Sequence, residues 1–179
     1  MIREPAVAGM FYNANPSILR HQVEEFLSEE SAPEKAQAIG IVSPHAGYMY
    51  SGHVAGAVFS RVKIPKKFLV LCPNHTGHGA YAAINAEGSW KTPLGEAKID
   101  SPLARRLMEL DPMLQEDSDA HRREHALEVQ LPFLQVLREG FEFVPLCLSH
   151  FRFGDCETLG RAMANLIRGS KEEIGRAHV

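Results

Sequence analysis

Histidine binds transition metals through a neutral ring nitrogen and moves protons near neutral pH. Three of the nine in this chain close apolar runs. Residues 38–43 lead through Pro44 to His45, residues 67–72 lead through Pro73 and Asn74 to His75, and residues 141–148 lead through Ser149 to His150. A run of four to six apolar residues without polar alternation predicts a strand buried on both faces, as in parallel sheets covered by helices. Ligands collect just beyond the carboxyl ends of such strands, so the three imidazoles are expected around one crevice. A lone histidine at a strand end is commonly structural, bonded to a backbone carbonyl. Two at equivalent ends, beside Gly47 and Gly52 in one loop and Gly77 and Gly79 in the other, argue for a shared site.

A further constellation runs from Asp119 to Glu128, where His121, His125 and Glu128 recur at helical spacing. On a helix they would share one face. Residues 121–125 also read H-x-x-E-H, in which two histidines bind zinc and the intervening Glu124 activates water. Such a site needs a third ligand, and Asp155, Glu157, Glu172 and Glu173 are the carboxylates on offer. The plain alternative is a charged helix start, capped by Asp119, with Glu124 facing solvent. The glycines at 47 and 52 match neither the dinucleotide fingerprint nor the P-loop, which argues against nucleotide binding.

The elements that must position these residues alternate between strand and helix. A helix is predicted at 17–29 with Ile18, Val23, Phe26 and Leu27 on its apolar face, followed by a polar connector at 31–35. A short helix of small residues follows the first loop at 54–61, and residues 80–100 read as a hairpin-like excursion around 88–95. A helix at 103–110 has Ser101 as its expected cap and Pro102 at its first position. A long helical pattern covers 119–138, with Pro132 expected to kink or divide it, and a last helix covers 156–167. This order predicts one α/β domain with a mostly parallel sheet flanked by helices.

Composition narrows the function classes. With 179 residues and a net charge of −3, the chain carries no basic stripe for nucleic acid and no polybasic membrane anchor. The opening Met-Ile-Arg-Glu-Pro lacks a leader pattern, and the expected location is cytoplasmic. Cys72, Cys147 and Cys156 are too far apart for a zinc knot, and the first two sit in apolar runs as expected core residues.

Five segments in order resemble the Memo-like family, whose bacterial and archaeal members are called AmmeMemoRadiSam system protein B. They are residues 3–12, the 44–52 loop, Pro73-Asn74-His75-Thr76-Gly77, Trp90-Lys91-Thr92-Pro93-Leu94-Gly95, and residues 124–134. That family is similar to the class III extradiol dioxygenases. The resemblance implies a mononuclear non-haem metal at the strand ends, Fe(II) first, with Cu or Zn as alternatives. It implies His45 and His75 as metal ligands, His125 as an acid/base beside substrate, and a redox or dioxygenase-like reaction. Tyr48, Tyr50, Asn74, His121 and Glu128 are expected around the substrate or behind the ligands. Implied partners are a small molecule or peptide in the crevice, and AMMECR-type and radical-SAM proteins. A competing reading is a non-catalytic module that grips a peptide through Tyr48, Tyr50 and Trp90. His150 does not fall on the family's site. The family pattern continues into a Ser-Ser-Asp and a His or Cys segment, so residues 1–170 are expected to form a single, incomplete domain and 171–179 a tail outside the pattern.

Overall fold

Two of the apolar runs pair side by side as parallel strands, in register from Lys67 with Glu142 to Pro73 with Leu148. The computed structural model describes residues 1–28, 34–170 and the backbone of 174–178. Most of the connector expected at 31–35, together with Glu172 and Glu173, lies outside these residues. In chain order the elements are β1 (Ile2–Arg3), α1 (Pro16–Ser28), β2 (Ile41–Val42), α2 (Tyr48–Ser60), β3 (Lys67–Pro73), β4 (Ala82–Ile84), β5 (Ser89–Thr92), β6 (Gly95–Ile99), α3 (Ser101–Leu110), β7 (Gln115–Glu116), α4 (Asp119–Arg122), α5 (Leu131–Leu137), β8 (Glu142–Leu148), α6 (Phe153–Gly169) and β9 (Ile174–His178), with a 3-10 turn at Glu128–Gln130.

Successive residues of a strand point to opposite faces, and β3 and β8 divide their apolar side chains that way. Phe68, Val70, Cys72, Phe143 and Cys147 enter a core with Leu19, Val23, Phe59 and Phe133 from α1, α2 and α5. Leu69, Val144 and Leu146 enter a second core with Leu107, Leu159 and Met163 from α3 and α6. The result is the expected α/β architecture, with helices on both faces of a mostly parallel sheet ordered β1-β5-β6-β8-β3-β9-β2. β5 and β6 form the expected hairpin, and β4 runs antiparallel to the end of β8. Pro145 sits where the neighbour of β8 changes from β6 to β4, so its missing N–H interrupts no continuous ladder.

Several local expectations are corrected. Only Ile41–Val42 of the first run is strand, and β2 ends the sheet path with Val42 70% exposed, so this strand is not buried on both faces. In α1, Leu19 and Val23 are buried while Ile18 is exposed. α2 begins at Tyr48 instead of residue 54. The cap of α3 is Asp100, whose carboxylate accepts from the Leu103 N–H. The long helix of 119–138 is broken, since α4 stops at Arg122 and helical structure resumes only at Glu128.

Gly52 and Gly56 of α2 let α1 approach closely: a Cβ at Gly56 would overlap the carbonyl oxygen of Phe26, and one at Gly52 would meet its ring. Alanine favours a helix by about 1 kcal/mol over glycine, but a backbone oxygen cannot rotate away. Overpacking costs about 1–3 kcal/mol, so Gly56→Ala is expected to lower stability on balance. An unchanged or raised urea midpoint would show that α1 is free to shift.

Candidate metal centre

The loops after β2 and β3 bring His45 and His75 together, with ring centroids 5.2 Å apart. The turn between α4 and the 3-10 turn supplies His125, whose ring stacks on His75 at 4.9 Å and stands 5.9 Å from His45. All three lie beyond the carboxyl ends of parallel strands, where open α/β sheets place ligands. The first loop is held by Gln130, whose side-chain N–H donates to the Pro44 carbonyl at 2.9 Å. Asn74 organises the second loop: its side-chain oxygen accepts from the N–H groups of Thr76 and Gly77, and its amide donates to the His78 carbonyl. Asn74 thus shapes the backbone around His75 and does not face the imidazoles with its polar end.

Beneath the rings lies Glu124, fully buried. It accepts from the His75 backbone N–H at 2.6 Å and stands 2.9 Å from the Nδ1 of that ring. The N–H groups of His125 and Ala126 also donate to it, each at 2.9 Å. Burial pushes this carboxyl up, but the hydrogen bonds from His75 and Ala126 outweigh it and keep the group below the usual carboxylate range. It is therefore ionised at neutral pH, and the expectation that it faces solvent is overturned. Burial lowers the His125 imidazole, with Glu124 pulling the other way, so its ring favours the neutral form. Among the described residues, His75, Glu124 and His125 form a group whose ligand atoms all fall within 4.8 Å of one another.

The break after α4 has a physical cause. Arg3 donates to the carbonyls of His121 and Glu124 at 2.8 and 2.7 Å, and Glu124 takes the N–H groups of His125 and Ala126. These side chains serve backbone groups that a continuous helix would pair with each other. As a result His121 does not share a face with His125. It is buried against Trp90, ring centroids 5.5 Å apart, outside the candidate ligand group, and the H-x-x-E-H reading loses its first ligand. Two of the carboxylates considered as its third ligand are engaged elsewhere, Asp155 with Tyr81 and Glu157 with Arg161.

Glu128 is buried too, and it anchors the amino-terminal segment. It pairs with Arg3 at 2.6 Å and accepts from Tyr12 and from the N–H groups of Ala6 and Val7. That arrangement brings Phe11 to within 4.7 Å of the His125 ring. Phe11, His45, His125 and Tyr50 line a cleft of about 930 Å³ with Met10, Val42 and Val54. Tyr48 and Trp90, offered above as peptide contacts, are buried at 3% and 0% exposure, and the Tyr48 hydroxyl donates to the Val129 carbonyl. Only Tyr50 of that trio is exposed. His150 is exposed, makes no ring contact with His45, His75 or His125, and uses its carbonyl to accept from Tyr81. Cys72 lies beside Cys147 in the core, where that thiol contact and burial push it up and leave it poorly nucleophilic. Phe11, Arg3 and Tyr12 were not singled out by residue chemistry. Their signal was the Arg-Glu-Pro to Phe-Tyr block near the start, which carried only resemblance.

A two-faced α/β sheet with imidazoles and a buried carboxylate gathered at its strand ends defines an α/β protein with a candidate metal centre. The chain belongs to the Memo-like protein family, which matches residues 3–174. It is 38% identical to a MEMO1 family protein of Methanothermobacter thermautotrophicus, over 98% of this chain and 66% of that protein. It is 41% identical to one of Archaeoglobus fulgidus, over 98% of this chain and 63% of that protein. A MEMO1 family protein of Aquifex aeolicus is 37% identical over 93% of this chain. The chain spans about two thirds of the length of the curated relatives it matches.

His121 makes acid stability testable. Burial, then the Arg3 charge, lowers it from 6.5 to about 4 in the folded protein, so a proton prefers the unfolded chain across that range. The stability that depends on a neutral His121 is complete above the unfolded value and is lost as pH falls towards the folded one, about 3 kcal/mol in all. His121→Phe, which keeps a ring against Trp90, is expected to flatten the fall in urea-derived stability between pH 6.5 and 4. An identical pH slope in both proteins would contradict this.

Proposed function

We propose that this chain forms the strand-end half of a mononuclear metal site, held by His45 and His75, with His125 beside it as the group that moves a proton. The observation carrying this reading is the convergence of three imidazoles from separate segments at one end of the sheet. Two imidazoles suit iron, copper or zinc, and iron is the first choice because the family resemblance implies it. When bound, such an ion would supply a Lewis acid and a one-electron couple, consistent with a redox or dioxygenase-like reaction. The chain's own residues supply the rest. The neutral His125 ring can accept a proton from a substrate hydroxyl and return it, at the edge of the cleft and close to His75.

The cleft indicates the kind of molecule it would receive. Among the described residues that line it there is no charged side chain, and apolar walls with a few polar groups at one end are typical of sites for small molecules. We therefore favour an uncharged, mainly apolar substrate over a phosphorylated or polycarboxylate one. Among the described residues no helix is long and apolar enough to cross a membrane. A cytoplasmic setting would keep both ferrous iron and the buried thiols reduced.

Anaerobic titration with Fe(II) tests the centre. Near-stoichiometric binding is expected of a protein that also carries the family's later His or Cys segment, and there His45→Ala and His75→Ala should each abolish it. Equal binding by wild type and both variants would remove these residues from the site.

A further inference from the structure

Glu124 stands inside the candidate ligand group, yet its surroundings are those of a residue that positions a ligand. One oxygen receives the N–H groups of His125 and Ala126 and lies 2.9 Å from the His75 Nδ1; the other receives the His75 backbone N–H at 2.6 Å. Both oxygens already face backbone donors, which cannot reverse their role, and the side chain has no exposure through which to turn toward the cleft. An oxygen that accepts from two N–H groups acts as an acceptor toward the third nitrogen as well. That nitrogen, His75 Nδ1, must then carry the proton.

The structure assigns Glu124 as a positioning residue that locks His75 in the Nδ1–H form and leaves Nε2, on the opposite side of the ring, as the metal-binding atom. The same carboxylate fixes the peptide groups on which His75 and His125 stand, so one side chain sets the relative placement of both rings. This differs from a water-activating glutamate, which needs an oxygen free to face the ion and its water. It also differs from direct ligation, which would require giving up donors that the buried carboxylate needs. A carboxylate behind a metal-bound histidine is a recurrent arrangement that orients the ring and raises its basicity.

The inference rests on the proposed centre only for its metal-binding half, and two measurements keep the halves apart. Long-range proton–nitrogen NMR of metal-free protein labelled with 15N-histidine reads the His75 tautomer, with His75→Ala supplying the assignment. The Nδ1–H form is expected in wild type, and a predominant Nε2–H form would overturn the assignment whether or not metal binds. Titration with Co(II), followed by its visible bands, reads the other half. Glu124→Gln, isosteric but with one acceptor oxygen in place of two, is expected to lose the tautomer preference and to bind Co(II) about 10–100-fold more weakly. Unchanged Co(II) affinity and an unchanged tautomer in that variant would show that Glu124 positions nothing. A wild-type protein that binds no Co(II), yet holds His75 as Nδ1–H, would instead sink the proposed centre and leave the carboxylate's hold on the ring standing.

Discussion

A carboxylate removed from water is tolerable only when donors surround its oxygens, and two of the carboxylates buried here, Glu124 and Glu128, stand four residues apart. Glu124 gathers the exit of β3 and the turn that carries His125. Glu128 gathers Arg3, Ala6, Val7 and Tyr12 from the amino-terminal segment. Each demand is local, but together they lock three distant stretches of chain against one another. Removing either carboxylate while leaving its donors buried would strand several N–H groups, at about 1–3 kcal/mol apiece. The histidine cluster therefore depends less on its own contacts than on the requirement that these two charges stay satisfied.

Arg3 links the two carboxylates. Its guanidinium pairs with Glu128, donates to the carbonyls of His121 and Glu124, and lies over the Trp90 ring at 4.2 Å. A planar fork of donors suits this task, since it can serve a carboxylate and two carbonyls at once, where an ammonium group would offer no such geometry. The turn it holds open is what lets the His125 ring reach His75 instead of following the axis of a helix. Packing on the far side is more conventional. β3 and β8 are covered on both faces, and the close approach of α1 to α2 at Gly56 supports the same face of the sheet as the His45 loop.

The chemical character of the cleft follows from this separation of polar and apolar groups. The charged carboxylate lies below the rings, out of water, and the opening above them is bordered by Phe11, Val42 and Tyr50. The His125 ring thus stands between an ionised carboxylate and an apolar cleft.

Apolar runs without polar alternation were enough to determine that β3 and β8 would be central strands and that the histidines after such runs would stand at the sheet's carboxyl edge, because burial on two faces and chain direction are written in local composition. The position of His75 followed from the same rule, whereas His45 closes a run of which only Ile41–Val42 is strand, at the end of the sheet path, and His150 stands apart from the three clustered rings. The segment from His121 to Glu128 did not yield to it. Its spacing is helical, and its local propensities would keep it so, but its backbone groups are taken by Arg3 and by the Glu124 side chain. Arg3 lies 118 residues away from His121. The buried state of Glu124, the separation of His121 from His125, and the concealment of Tyr48 and Trp90 were decided only by the tertiary structure. Each depends on which donors and which apolar surfaces arrive from remote parts of the chain, and periodicity along the chain carries no information about that meeting.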